Sequence, residues 1–297
     1  MATSRFHDGE LAVQQRAGVR AEADRLGGML APPHLDGGPA RFLAERTFAA
    51  LTGRDQEGRL WTSPLVGPPG FLDGTAATLR VHASPPPGDP LHDLPEGQPI
   101  GLIAMDYARR RRIRVNGVLT ERHDEGLRID VDQAFGNCPK YIRPRHLETG
   151  GAPAGRAVAT PGTALSAAQA ALLRRAETFF LGTTHPDRGV DSSHRGGPPG
   201  FLRVEDGELW WPDYPGNNMF TSFGNLAVDD AASLLVPDFV SGATVQISGT
   251  AAVEWVPPGT AGDDGGTGRR VRFVVRYVVG GALALHEDPT GPHRASA

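Results

Sequence analysis

Short apolar runs parted by Gly, Pro and charged turns recur along most of this chain. Phe48–Leu51, Leu60–Val66, Thr78–His82, Ile100–Met105 and Leu127–Val131 form one series. Thr178–Thr184, Val190–Ser193, Phe201–Val204, Glu208–Trp211, Leu234–Phe239 and Thr244–Trp255 form a second. Runs of this kind, bounded by turn formers, predict strands, about six in each series. Arg270–Val279 alternates most regularly: Val271, Phe273, Val275, Tyr277 and Val279 share one face and leave Arg270, Arg272 and Arg276 to solvent. Asn116-Gly117, set between extended runs, predicts a two-residue hairpin because both residues tolerate positive φ. Helical signals are few. One starts at Asp8 and stops near Gly18, a short piece covers Arg41–Glu45, and a helical turn falls at Asn225–Asp230. Ser166 and Gln169 form a capping box that opens a helix to about Ala176.

The two series echo one another. Gly-Pro-Pro-Gly-Phe-Leu occurs at Gly67–Leu72 and again at Gly197–Leu202, 130 positions later. Each copy follows a Glu, a Thr/Phe-rich run, a charged turn and a second run. A fixed-offset echo marks an internal duplication. The expected organisation is an arm over 1–40, a first barrel over 41–145, a linker over 146–165, a second barrel over 166–288 and a tail over 289–297. The fold class is mainly β: two tandem split β-barrels with a few short helices.

Composition narrows the function classes. A net charge of −4 gives no global attraction to nucleic acid or to an anionic membrane, so recognition of a phosphate has to be local. The single cysteine, Cys138, cannot form an internal disulfide or a multi-cysteine metal site. The polar N-terminus and the lack of a membrane-length apolar run make a cytoplasmic protein the expectation. No HExxH, Walker or GxSxG pattern is present, and no metal is expected.

Three stretches carry candidate chemistry. Asp191–Gly197 places Ser193, His194, Arg195 and Gly196 beside a repeat landmark. A guanidinium fork, hydroxyls and glycines are parts suited to a phosphate. The corresponding Trp61–Val66 lacks the charged parts. The stretch reads equally as a strand end entering a solvated turn. Asp213–Asn225 offers Asn217, Asn218, Ser222 and Asn225 as hydrogen-bonding groups, or as residues of tight turns. Phe135–Ile142 holds Cys138 before a proline and next but one to Lys140; a lone cysteine is more often a small buried hydrophobe than a nucleophile. Arg109–Arg112 and Arg114 read as a solvated strand face.

The pair SSHRGGPPGFL and PDYPGNNMFTSFGNLAVDDAASLLVPDF resembles the pyridoxamine 5′-phosphate oxidase-like family of FMN-binding split barrels, in its tandem branch. FHDGELAVQQRAG, RRRRIRVNG and FGNCPKYIRPR are similar to further signatures of that branch. The resemblance spans about Phe6 to Leu285. It implies FMN lodged where two barrels meet, with Val190–Arg195 and Asn217–Asn225 lining it and Asn137 and Lys140 approaching the same pocket. Thr221-Ser222 stand where oxidase-type members show an Arg–Lys pair, so the phosphate would rely on Arg195, His194, Lys140 and backbone N–H groups. The two barrels would form a pseudo-dimer in one chain, with a homodimer as a further option. The implied activity is an FMN-dependent oxidoreductase acting on a small-molecule substrate or electron donor. A non-catalytic flavin carrier or sensor, or a barrel holding deazaflavin or haem, is the alternative.

Overall fold

The computed structural model describes residues 5–30, 33–150, 161–205 and 207–288. Three helices come first: α1 (Asp8–Arg16), α2 (Arg20–Leu26) and, after a 3-10 turn at Gly27–Leu30, α3 (Gly38–Ala44). Seven strands follow: β1 (Phe48–Arg54), β2 (Leu60–Val66), β3 (Leu72–Thr75), β4 (Thr78–Val81), β5 (Pro99–Asp106), β6 (Arg111–His123) and β7 (Gly126–Gly136). Then come β8 (Leu147–Thr149) and α4 (Ala167–Arg175). The second set is β9 (Thr178–His185), β10 (Gly189–Gly196), β11 (Arg203–Glu205), β12 (Glu208–Pro212), α5 (Thr221–Leu226), β13 (Ala231–Pro237), β14 (Ala243–Trp255) and β15 (Arg269–Ala282). A last strand, β16 (Leu285–Glu287), pairs with β8. The expected linker therefore contributes a strand; its residues 151–160 and the tail 289–297 lie outside the described residues.

The duplication is visible in the topology. The first sheet runs β2-β1-β5-β6-β7-β4-β3 and the second β10-β9-β13-β14-β15-β12-β11, the same order with eight added to every strand number. Each is antiparallel and wraps its own core, so the chain is mainly β and built from two split barrels, each of seven strands where six were expected. Trp61, Leu102 and Ile129 are among the buried residues of the first core, and Phe179, Trp211 and Phe273 among those of the second. The Gly-Pro-Pro-Gly turns are alike in detail. Phe71 N–H donates to Pro68 O and Phe201 N–H to Pro198 O, both at 3.0 Å. Gly70 and Gly200 both take positive φ, +96° and +87°.

Two expectations change. Asn116-Gly117 is no hairpin: β6 runs straight through it and the chain reverses at residues 124–125. The pair instead sits at a β-bulge, with Asn116 opposite Gln133 and Gly117 opposite Val131, so that Asp132 is the extra residue. A Cβ on Gly117 would lie 2.1 Å from the Asp130 carbonyl oxygen, which is why glycine stands there. Ser248-Gly249 of β14 repeats the device opposite Arg276, and a Cβ on Gly249 would lie 2.1 Å from Val274 O. This second bulge also breaks the alternation of β15. Val271 and Phe273 enter the second core, but beyond Arg276 it is Val278 that does so, while Tyr277 and Val279 turn to the first core. One extra residue exchanges the faces of a strand. Arg272 and Arg276 are exposed as expected; Arg270 is half-buried and paired with Glu254.

The barrels approach most closely at two glycines. A Cβ on Gly101 (β5) would stand 2.7 Å from Ser192 N (β10), and one on Gly182 (β9) would stand 2.3 Å from Thr52 Cγ2 (β1). Around these crossings Phe48, Ile103 and Tyr107 of the first half pack with Phe180, Leu235 and Phe239 of the second. Hydroxyls of Thr52, Thr62 and Ser233 form a chain across the seam at 2.9 and 2.7 Å. No helix among the described residues is long and apolar enough to cross a membrane.

This apposition makes Gly101→Ala costly, because the obstacle is backbone and no rotamer avoids it. Overpacking of this kind destabilises by about 1–3 kcal/mol. Gly38→Ala, with open space at its Cβ and a helical position, is expected to be neutral or stabilising by about 0.5–1 kcal/mol. Urea unfolding of the two variants checks the difference.

Candidate functional site

Beside this crossing the two barrels leave a cleft with about 920 Å³ of empty space, its mouth included. The enclosed space within it that a water-sized group can reach is about 110 Å³, below the roughly 300–1,000 Å³ of typical small-molecule sites. Its walls come from both halves. The first barrel supplies Arg112 and Arg114 of β6 and the segment Asn137–Tyr141 that leaves β7. The second supplies His194–Gly196 of β10, the segment after β12 through Asn218, Thr221–Phe223 of α5 and Arg269 of β15.

Strand periodicity distributes β10. Asp191, Ser193 and Arg195 point toward α5, while Ser192 and His194 point the other way. Asp191 is fully enclosed. It accepts from Arg114 Nη1 at 3.0 Å, and Asn116 Nδ2 and Ser222 Oγ lie 3.3 and 3.2 Å from its oxygens. This cluster ties β6, β10 and α5 together, so Arg114 is already neutralised. Arg269 is likewise paired, its Nε 2.9 Å from Asp213.

Arg112 and Arg195 differ. Neither forms an ion pair with a carboxylate among the described residues. Arg112 donates from Nη1 to His194 Nδ1 and from Nη2 to Cys138 O, both at 2.9 Å. Burial, and then the like charges of Arg114 and Arg195, pull its guanidinium down to about 9. Arg195 lies over the Phe223 ring, 5.4 Å from its centre, and burial pulls it down to about 10 despite Asp213 nearby. Both remain cations at neutral pH.

Polar satisfaction points the same way. Five buried N–H groups of lining residues have no partner: Nε of Arg112, Arg114 and Arg195, Nδ2 of Asn137 and Nε1 of Trp211. No lining residue among those described has a buried acceptor in that condition. Native proteins satisfy nearly all such groups, so a concentration of unpaired donors calls for a ligand rich in acceptors. Phe201, Trp211, Phe220, Phe223, Tyr141 and Tyr214 supply aromatic surface to the same walls. Backbone strain collects here too. Tyr141, Asn218 and Phe220 take positive φ, 64°, 61° and 60°. Such conformations cost roughly 1–3 kcal/mol each for ordinary side chains and cluster at functional sites.

Of the residues expected at a site, His194, Arg195, Gly196, Asn217, Asn218, Ser222, Asn137 and Lys140 line the cleft. Two do not. Ser193 Oγ is buried against Leu181 O and Ser222 Oγ. Asn225 is not in the cleft wall and is bonded instead to His7 Nε2 and Thr183 Oγ1, both at 3.1 Å. His194 reaches the wall with both ring nitrogens engaged: Nδ1 accepts from Arg112, and Nε2 lies 2.6 Å from Thr178 Oγ1. Burial, with Arg112 next, drives its pKa well below 6.5. It is a neutral ring that aims Arg112, and it has no proton to give a phosphate. Gly196 is glycine because Tyr141 O would lie 2.0 Å from its Cβ; the close approach there is between barrels.

Arg112 and Arg114 were expected in solvent, and only Arg109–Arg111 are there. The usable signal was periodicity: Arg112, Arg114 and Asn116 share one face of β6. That this face meets the other barrel is not readable from one strand.

The cleft has one copy, not two. By the register of the repeat, His194 and Arg195 correspond to Pro64 and Leu65, and Arg112 and Arg114 to Thr244 and Gln246. All four equivalents are uncharged. Asp89, from the proline-rich loop, fills that place, 2.5 Å from Ser63 Oγ and 3.0 Å from Gln246 Nε2.

Residues 165–259 match the family model described as pyridoxamine 5′-phosphate oxidase. No curated protein matches. Among solved structures, the chain is similar to HupZ of Group A Streptococcus, with 10% identity over 40% of this chain and 98% of that one and a TM-score of 0.33. It is similar to a Clostridium acetobutylicum protein related to general stress protein 26 (13%, 40% and 89%, TM-score 0.28). It is also similar to the FAD binding protein of Mycobacterium smegmatis (14%, 43% and 100%, TM-score 0.28). The second barrel is thus the part of the chain that matches the pyridoxamine 5′-phosphate oxidase family model.

Proposed function

We propose that the cleft binds FMN and that the protein is a flavin-dependent oxidoreductase. The observation that carries this reading is the surplus of unpaired donors and of cations without carboxylates in a cleft walled by aromatic rings. A flavin mononucleotide supplies what such walls lack: a phosphate for the guanidiniums, carbonyl and ring-nitrogen acceptors for the free N–H groups, and a flat ring for the aromatic surface. Arg112 and Arg195 are the residues suited to the phosphate, one from each barrel. Arg112 stands in for the basic pair that α5 lacks at Thr221-Ser222. Lys140, exposed at the mouth, adds a further positive charge. Asn137 and Asn218 suit the ring's polar edge. When bound, the flavin would supply the redox chemistry, and the protein position and electrostatics. A small-molecule substrate or electron donor would enter past Tyr141 and Tyr214, whose rings stack 5.0 Å apart at the mouth.

The purified protein is expected to be yellow, to release FMN on heating, and to bind one FMN per chain. A colourless protein that gains no thermal stability from added FMN would contradict the reading, because a ligand of the folded state alone must raise stability. Turnover of NADH or NADPH with an added acceptor separates an enzyme from a carrier. Arg112→Ala and Arg195→Ala are each expected to weaken FMN binding by about 1.5–3 kcal/mol, roughly 10- to 150-fold, through loss of a charged hydrogen bond. Fluorescence titration of the folded variants measures this.

Cys138 contributes its backbone carbonyl to Arg112, and any residue has that carbonyl. Cys138→Ser is therefore expected to leave FMN affinity within a factor of about 3, below 1 kcal/mol. Abolished binding in that variant would show that the thiol itself matters.

A further inference from the structure

The N-terminal arm does not simply lead into the first barrel. Its α1 lies across α5 of the second barrel at a glycine contact: a Cβ on Gly9 would be 2.2 Å from Gly224 O, and one on Gly224 would be 2.5 Å from Glu10 Cγ. Gln14 Nε2 donates to Met219 O at 2.9 Å. Phe6 and Ala23 of the arm pack with Phe135 of β7 and Met219, so the arm spans both barrels. This crossing buries the Glu10 side chain directly behind the cleft. Its carboxylate accepts from His7 N–H at 2.9 Å, and its chain lies against Gly224 of α5, the helix whose first turn lines the cleft.

Among the described residues no Lys or Arg forms an ion pair with Glu10. The nearest basic atom, His7 Nε2, is 3.5 Å away, but burial and the neighbouring His185 hold that imidazole neutral, down at about 4. Of the other charged groups facing Glu10, Asp191 of β10 disfavours its ionisation and Arg188 favours it weakly. Burial dominates and lifts the carboxyl to about 7. Nothing in the cleft chemistry above uses this group.

We infer that Glu10 is a charge-compensating residue of the site, acting across α5: it takes up a proton when a phosphate-bearing flavin enters the cleft. The inference rests on the reading of the cleft as an FMN site. An anion arriving beside a carboxylate raises the free energy of the ionised form, and solvent supplies a proton to it. Linkage is reciprocal, so the protonated form binds the anion more tightly. The sign is definite: affinity falls as pH rises through the range in which Glu10 ionises. The second ionisation of the FMN phosphate, about 6, acts in the opposite sense and at lower pH.

Calorimetric titration of FMN at pH 7 in two buffers of different ionisation heat counts the protons exchanged. Wild type is expected to take up as much as about half a proton more than Glu10→Gln, the fraction that a group half-ionised at pH 7 can gain. Its affinity is expected to fall several-fold between pH 6.5 and 8.5, with a flatter profile in the variant. Equal proton counts and parallel profiles would overturn the inference while leaving FMN binding intact. Absence of FMN binding by wild type would instead overturn the functional reading, and this inference with it. Should Glu10→Gln fail to fold, the infrared difference spectrum of wild type with and without FMN decides. A gained protonated-carboxyl band supports uptake, and its absence overturns it.

Discussion

Close approach of the two sheets at a pair of glycines is the constraint from which the rest follows. Gly101 against Ser192, and Gly182 against Thr52, bring β5 and β1 of one barrel into contact with β10 and β9 of the other. With side chains at those crossings the barrels would stand apart. At this separation, residues from β6 and from β10 reach one cleft. Arg114 is then close enough to Asp191 to be neutralised, and Arg112 is close enough to His194 to be aimed, but among the described residues no carboxylate forms an ion pair with Arg112 or Arg195. Two partly buried cations without a directly paired carboxylate are expensive in an empty protein and useful in one that holds an anion.

Duplication created two such places by symmetry, and the sequence has kept one chemically alive. His194, Arg195, Arg112 and Arg114 have Pro64, Leu65, Thr244 and Gln246 as their counterparts. Asp89 and the buried Leu91 and Leu94 of the proline-rich loop occupy the other side of the seam. A separate-subunit dimer has to keep both of its seams identical; one chain is free to specialise them. The N-terminal arm extends this asymmetry, since α1 packs on α5 of the second barrel alone while Phe6 reaches toward both.

The fold was largely legible in the sequence because its signals are local. The Gly-Pro-Pro-Gly turns, the alternating runs and the Ser166 capping box each became the expected element, the last with bonds of 2.8 and 3.2 Å. Local signals fail where a distant neighbour sets the outcome. Asn116-Gly117 has the chemistry of a hairpin turn, yet the glycine serves a bulge and the Asn116 amide is drawn inward by Asp191. The alternation of β15 is real up to Arg276, where the same kind of bulge exchanges its faces. At the site, β10 and the loop before α5 were legible because their polar residues are contiguous. Arg112 was not, because its face of β6 acquires meaning only once the other barrel covers it. Asn225 was expected at the cleft as part of the polar stretch Asp213–Asn225; three residues apart, it and Ser222 share a face of α5, but their side chains take different partners. Here Ser222 is held by Asp191 and Asn225 by His7 and Thr183.

The account turns on where a flavin phosphate goes, and a crystal structure of the protein grown with FMN shows this directly. The phosphate is predicted to lie between the Arg112 and Arg195 guanidiniums, within hydrogen-bond distance of both, with the ring against the aromatic walls of the same cleft. A phosphate bound elsewhere, or guanidiniums left without an anion while FMN sits at another place, would contradict it.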